Sequence, residues 1–123
     1  MRDDPILPPA RNLIGGAWLP AASGCEMAMI SPIDGRPFAA IADSGPKDVD
    51  AAIRAARAAF EGDWGRLTAA ERGRLMLRLA LRIEAEAEAL AQLETRDNGK
   101  PVAQSRADMA ALARYFEYYG GAA

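Results

Sequence analysis

The chain has 123 residues, a formal net charge of -2 and a composition that is 50% hydrophobic and 26% charged. This balance is typical of one globular domain, and so small a net charge argues against a nucleic-acid or membrane-surface binder. The single cysteine excludes an internal disulfide, and the absence of histidine excludes histidine-dependent nucleophilic catalysis and histidine metal sites.

Residues 1–11 are predicted to form a poorly ordered arm, because Pro5, Pro8 and Pro9 oppose helix formation and regular strand pairing. The arm has no apolar segment of the kind found in signal peptides, and no apolar run approaches the length of a membrane span. A single cysteine also fits a reducing compartment. We therefore expect a cytoplasmic protein whose partners are neither membranes nor nucleic acids.

Extended structure is predicted next, in short strands at residues 12–14, 17–19, 26–30 and 37–42. Gly15-Gly16 is a two-residue turn signal, so the first two strands should form a β-hairpin. The second two are joined by residues 31–35, which are rich in turn-forming residues. A small antiparallel patch of this kind is marginal unless something covers it.

The first helix is predicted to begin at Ser44 or Gly45, with Pro46 at its first position and Asp48 in its first turn. Gly62 should end it. Its apolar face comprises Val49, Ala52, Ile53, Ala56 and Phe60.

The second predicted helix is the longest element. Thr68 and Glu71 form a capping box, and nothing breaks the helical pattern until Asn98-Gly99. The apolar positions are Leu75, Met76, Leu79, Ala80, Ile83, Ala87, Leu90 and Ala91. A single helix of about 29 residues would be roughly 43 Å long at ~1.5 Å per residue. With only one apolar face, it should lie along a large partner surface.

A third helix is predicted from Lys100-Pro101 to Gly120-Gly121. Its apolar positions are Val102, Met109, Leu112, Phe116 and Tyr119, with Ser105 and Ala113 at places of close contact. The chain therefore predicts a small antiparallel β region followed by three amphipathic helices.

Two residues are candidates for chemistry. Cys25 has no adjacent cation or base to activate its thiol, so a small side chain at a loop edge is the favoured interpretation. Asp97 stands at a helix C-terminus, where the helix dipole disfavours an anion. Its compensation could come from Arg96, from Lys100, from a bound cation or from the amides of the next turn. An Asx-type turn through Asn98 and Gly99 is an equally open alternative.

Residues 93–101, Leu-Glu-Thr-Arg-Asp-Asn-Gly-Lys-Pro, resemble a signature of the aldehyde dehydrogenase superfamily. Further blocks at residues 14–18, 31–35, 48–60 and 114–121 match the family in order and spacing. Ser31 is a departure, since the family usually has Asn there. The resemblance covers residues 12–123.

The resemblance implies an NAD- or NADP-dependent oxidoreductase that converts an aldehyde to a carboxylic acid. In that family a cysteine attacks the aldehyde, the thiohemiacetal gives hydride to nicotinamide, and a glutamate activates the hydrolytic water. All of these groups lie downstream of the matched residues, and Cys25 does not fit the catalytic cysteine motif. No catalytic or cofactor-binding residue therefore maps onto this chain, and we expect no cofactor binding by it alone.

The resemblance also implies an α/β fold in which residues 12–123 are the N-terminal part of the cofactor-binding domain. The segment is expected to be mainly helical and incomplete without the Rossmann sheet on which its helices pack. Family members often hold a structural monovalent cation near this segment. The matching positions are the carbonyl of Ile30 and the carboxylate of Asp97, with a further ligand from elsewhere in the enzyme.

Two hypotheses follow. In the first, the chain is the N-terminal portion of an aldehyde dehydrogenase, is inactive alone and has the remainder of that enzyme as its partner. In the second, it is a free-standing helical module that binds another protein through its exposed apolar faces. Both predict a large apolar surface on the helices.

Overall fold

The computed structural model describes residue 7 and residues 9–122. Most of the predicted N-terminal arm lies outside the described residues. The elements are β1 Asn12–Ile14, β2 Ala17–Leu19, β3 Glu26–Ile30, β4 Pro37–Ala42, α1 Pro46–Glu61, α2 Asp63–Arg66, α3 Ala69–Ala85, α4 Ala87–Asn98 and α5 Val102–Ala122. They divide into two compact units. The first extends to residue 30 and includes residues 35–66, and the second comprises residues 31–34 and those from 67 onward.

The four predicted strands are confirmed as two antiparallel hairpins, β1 with β2 and β3 with β4. Gly15 and Gly16 connect the first pair with φ values of 60° and 81°. Positive φ at both central residues is what a tight hairpin turn requires, and glycine adopts it without steric penalty. The second hairpin has a register irregularity between Met29 and Ile30.

Helix α1 begins and ends where the sequence predicts. Gly45 is the N-cap, Pro46 follows at the first helical position, and the amide of Gly62 donates to the Ala58 carbonyl at 2.9 Å. The Asp48 carboxylate accepts hydrogen bonds from the amides of Gly45 and Ala22, each at 2.9 Å. Asp48 is only 8% exposed, and these two bonds tie the loop after β2 to the start of the helix.

The prediction of a single helix from Thr68 to Asn98 is wrong. Its capped start is confirmed, since the Glu71 carboxylate accepts from the Thr68 amide at 2.7 Å. The helix is interrupted at Glu86, which has φ -105° and ψ 10° and divides it into α3 and α4. No proline or glycine causes this break. The break allows α4 to pack against α5 and to bury Ala91. Tertiary packing therefore overrides the favourable local helix propensity.

Two other details differ from the sequence prediction. The connector between the first two predicted helices contains the short helix α2. Together with the division into α3 and α4, this gives five helices in the described residues where three were predicted. The last helix does not end at Gly120-Gly121 but continues through Ala122. The β region and the mainly helical remainder are confirmed.

The second unit is held together by α5, which packs on α3 and α4. Its buried hydrophobic residues are Ala80, Ile83, Ala91, Met109 and Ala113, and Ser105 is fully buried. The hydroxyl groups of Ser105 and Thr95 are 2.9 Å apart and share a hydrogen bond between α5 and α4. Because most of these side chains are small, the helix backbones lie close together.

Gly120 lies at a close contact in this packing. A Cβ atom there would lie 3.0 Å from the Gly73 carbonyl oxygen and 3.2 Å from side-chain atoms of Met76 and Leu77. Gly120 is buried, and its role is to permit this approach of α5 to α3. Gly120 was predicted to end the helix, whereas in the structure it permits close packing inside the helix.

Gly120→Ala is expected to destabilise the chain by about 1–3 kcal/mol through overpacking. Gly121 is the matched control, since no heavy atom lies within 4 Å of a Cβ built there. Gly121→Ala should therefore be neutral, or stabilising by up to about 1 kcal/mol from helix propensity. Urea unfolding followed by circular dichroism measures both variants, and equal effects would contradict the proposed close contact.

Candidate functional site

The family-like segment 93–101 forms the corner between α4 and α5. Gly99 ends α4 in the left-handed conformation, with φ 78°, and its amide donates to the Thr95 carbonyl at 2.9 Å. The Lys100 amide donates to the Asn98 side-chain oxygen at 2.9 Å, so an Asx-type turn forms here with Asn98, and not Asp97, as its acceptor. A Cβ atom on Gly99 would lie 3.1 Å from Pro32, which belongs to the same unit.

The Lys100 side chain bridges two helices at this corner. The Lys100 Nζ lies 2.6 Å from Glu94 Oε1 on α4 and 2.5 Å from Asp108 Oδ2 on α5. We call these three residues the Lys100 clamp. The hydrogen bond to Asp108, followed by that to Glu94, raises the pKa of Lys100. The Lys100 side chain is only 23% exposed, and the second oxygen of Glu94 is buried without a partner in the described residues.

A second ion pair joins the same helices near the start of α4. Arg106 donates to both oxygens of Glu88, at 2.8 and 2.7 Å, in a bidentate arrangement. This contact, followed by a hydrogen bond from Gln92, lowers the pKa of Glu88 to about 2. Neither the Lys100 clamp nor this pair was found from the sequence. Lys100 and Asp108 are 8 residues apart and Glu88 and Arg106 are 18 apart, beyond the i, i+4 spacing of neighbours on one helix.

The two residues predicted to bind a cation lie in different units. Ile30 ends β3 in the first unit, and Asp97 is exposed in the last turn of α4 in the second. Lys100, one of the possible partners of Asp97, instead bonds to Glu94 and Asp108. Within residue 7 and residues 9–122, no group of three or more Cys, Asp or Glu is arranged to hold a metal ion.

Cys25 is an exposed free cysteine in the loop before β3. Its amide donates to the Ser23 hydroxyl at 3.1 Å, and its sulfur lies 4.0 Å from the Ser23 carbonyl oxygen. The chain has no histidine to act as a base toward it. These contacts are those of a loop residue and do not form a nucleophile–base pair.

The helices leave large apolar side chains uncovered. Phe60 on α1 is 68% exposed and Tyr118 on α5 is 70% exposed. Others that are more than half exposed are Val49, Ile53, Leu81, Tyr115 and Tyr119. An amphipathic helix in a finished domain buries such a face, so these faces lack a covering layer. Among the described helices, none is both long and apolar enough to cross a membrane.

Comparison with known proteins supplies the context for these uncovered helices. The model of the aldehyde dehydrogenase family matches residues 18–123. Acetaldehyde dehydrogenase 2 of Cupriavidus necator is 44% identical over 111 residues, which are 89% of this chain and 22% of that protein. Betaine aldehyde dehydrogenase of Bacillus subtilis is 39% identical over 111 residues, which are 89% of this chain and 23% of the relative.

Solved structures agree with the sequence matches. A Burkholderia cenocepacia protein assigned to the aldehyde dehydrogenases superposes with a TM-score of 0.90 at 50% identity. The match covers 92% of this chain and 24% of that one. Betaine aldehyde dehydrogenase from Staphylococcus aureus, in complex with NAD+, gives a TM-score of 0.88 at 36% identity, with 91% and 22% covered.

The fold matches one part of much longer aldehyde dehydrogenase structures, which makes this chain a segment of an α/β fold. The chain belongs to the aldehyde dehydrogenase family and corresponds to its N-terminal part. It spans less than a quarter of the length of the curated relatives described above.

Loss of the Glu88–Arg106 ion pair is expected to lower the stability of the folded state by an amount that depends on pH. The pKa of Glu88 lies below its ordinary value of 4.5, so the pair stabilises the folded state above about pH 4.5. That contribution is lost as the pH falls toward about 2. Arg106→Gln should therefore lower the urea midpoint near neutral pH and have little effect at pH about 2.

Arg78→Gln, which removes an exposed arginine on α3, is the matched control for this comparison. A constant difference between Arg106→Gln and the wild-type chain across the whole pH range would contradict the assignment of the effect to Glu88.

Proposed function

We propose that this chain is the N-terminal segment of an NAD- or NADP-dependent aldehyde dehydrogenase that oxidises an aldehyde to a carboxylic acid. The segment itself has no catalytic activity. The observation that carries this proposal is the combination of a family match over residues 18–123 with coverage of only 22% of a relative. The exposed apolar faces of α1 and α5 support it, because both need a further layer.

The described residues do not fit the cofactor. NAD+ is bound in the Staphylococcus aureus relative, and dinucleotide sites of the Rossmann type use a glycine-rich loop between a strand and a helix. Here the connection from β4 to α1, residues 43–45, contains one glycine and lacks the G-x-G-x-x-G spacing. We therefore assign cofactor binding to the remainder of the enzyme and derive no catalytic step from this segment.

The role of the segment is structural in this proposal. Helices α1 and α5 would bury Phe60, Tyr115 and Tyr118 against the remainder of the same enzyme. Burying a large apolar side chain contributes about 1.5–3 kcal/mol, so several together provide a substantial driving force for this association. We expect the complete enzyme to be cytoplasmic and to contact neither membranes nor nucleic acids.

We also propose that the Ile30 carbonyl and the Asp97 carboxylate help to bind a structural monovalent cation in the complete enzyme. Both groups supply oxygen donors, which suit hard cations. Asp97 is exposed at the C-terminal end of α4, where the helix dipole disfavours its charge and a cation would compensate for it. A further ligand from the rest of the enzyme is required.

The isolated chain is expected to reduce neither NAD nor NADP when supplied with acetaldehyde or betaine aldehyde, because it lacks a hydride acceptor site. The absorbance of reduced nicotinamide measures this, with the complete Cupriavidus necator enzyme as the positive control. Light scattering should show association, owing to the exposed apolar faces.

Measurable turnover by the isolated chain would refute this assignment. A stable monomer, together with a stop codon and unrelated coding sequence downstream of codon 123, would favour a free-standing protein-binding module instead. A continuing reading frame with cofactor-loop and catalytic cysteine motifs would support the enzyme segment.

Asp97→Asn is expected to abolish stabilisation of the complete enzyme by potassium. A cation at ~10 times its dissociation constant stabilises the folded state by ~1.4 kcal/mol. Thermal unfolding in potassium chloride and in tetramethylammonium chloride of equal ionic strength measures the effect. Asp50→Asn, an exposed carboxylate on α1, is the control and should keep the potassium response. An unchanged response in Asp97→Asn would exclude Asp97 as a ligand.

A further inference from the structure

The lysines of this chain are few and stand in contrasting environments. Of its 15 lysines and arginines, only Lys47 and Lys100 are lysines. Simple aldehydes form imines with amines, whereas the guanidinium of arginine stays protonated and does not offer a neutral amine. The two lysine side chains are therefore the side-chain amines that an aldehyde could modify.

The geometry around Lys100 opposes such a reaction. Its ammonium lies 2.6 Å from Glu94 Oε1 and 2.5 Å from Asp108 Oδ2, so two of its three N–H groups are directed to carboxylates. The side chain is 23% exposed, which also restricts the approach of a carbonyl carbon. Both carboxylates stabilise the charged form, and the raised pKa of Lys100 agrees with this.

Lys47 has none of this protection. It is the second residue of α1 and is exposed. Within residue 7 and residues 9–122, it makes no side-chain hydrogen bond or ion pair. Its amine can therefore meet an electrophile without first breaking a contact.

We propose that the Lys100 clamp protects the Lys100 amine from aldehydes and that Lys47 is the lysine of this segment that they modify. In the reaction, the ammonium first loses a proton and its nitrogen then adds to the carbonyl carbon. The resulting carbinolamine loses water, which breaks the carbon–oxygen bond and leaves a C=N bond. The proposed function enters only in that an aldehyde would be the substrate of the complete enzyme.

Reductive trapping tests this inference on the complete enzyme. Formaldehyde is added with cyanoborohydride, whose hydride reduces the C=N bond to a stable amine. Cleavage at arginine places the two lysines in different peptides, because arginines from Arg54 to Arg96 lie between them. Mass spectrometry then gives the modified fraction of each. We expect Lys47 to be modified at least roughly tenfold faster than Lys100, because the Lys100 ammonium must first leave two carboxylates.

Two variants test whether the carboxylates of the Lys100 clamp, and not burial of the side chain alone, protect the Lys100 amine. Asp108→Asn and Glu94→Gln each remove one carboxylate charge and should increase the modification of Lys100 severalfold while leaving Lys47 unchanged. Glu117→Gln is the matched control, because it removes an exposed carboxylate elsewhere on α5. Circular dichroism establishes that each variant retains its helices.

Several results would overturn the inference. One is equal modification of the two lysines in the wild-type enzyme, and another is an unmodified Lys47. A third is a pair of folded clamp variants in which Lys100 reacts no faster than before. The readout is a peptide mass rather than turnover. Failure of the enzyme to oxidise any aldehyde would therefore refute the proposed function separately.

Discussion

The close approach of α5 to α3 and α4 is the constraint on which the second unit depends. It is possible because small residues occupy the contact, with Gly120 against the Gly73 carbonyl and Ser105 fully buried beside Thr95. Packing of this kind tolerates little added volume, since a single methyl group at the contact meets backbone atoms that cannot move aside. Three tyrosines of α5, Tyr115, Tyr118 and Tyr119, lie outside this contact and remain exposed.

The residue types of the family-like segment 93–101 are explained by the geometry of the corner between α4 and α5. Glu94 and Lys100 supply an ion pair, Thr95 supplies a hydroxyl to α5, Asn98 closes the turn, and Gly99 takes the left-handed conformation. Each residue type meets a local requirement of the α4–α5 connection. The signature therefore identifies the family through residues that shape this corner of the fold.

The uncovered apolar faces distinguish a segment from a finished domain. A compact protein buries the apolar stripe of each helix, yet Ile53, Phe60 and Tyr118 are more than half exposed in this chain. A family match that covers under a quarter of a relative gives the same conclusion by an independent route. These helices therefore expose apolar surface that the remainder of the proposed enzyme would bury.

Much of the local structure was determined by the sequence alone. Gly15-Gly16, Pro46 and the Thr68 capping box specify backbone conformations within a few residues, so the strands and most helix ends were predicted correctly. The interruption at Glu86 and the partners of Lys100 were decided by the tertiary structure. Both depend on where α5 lies relative to α4, and contacts between separate helices leave no periodic signal in either one.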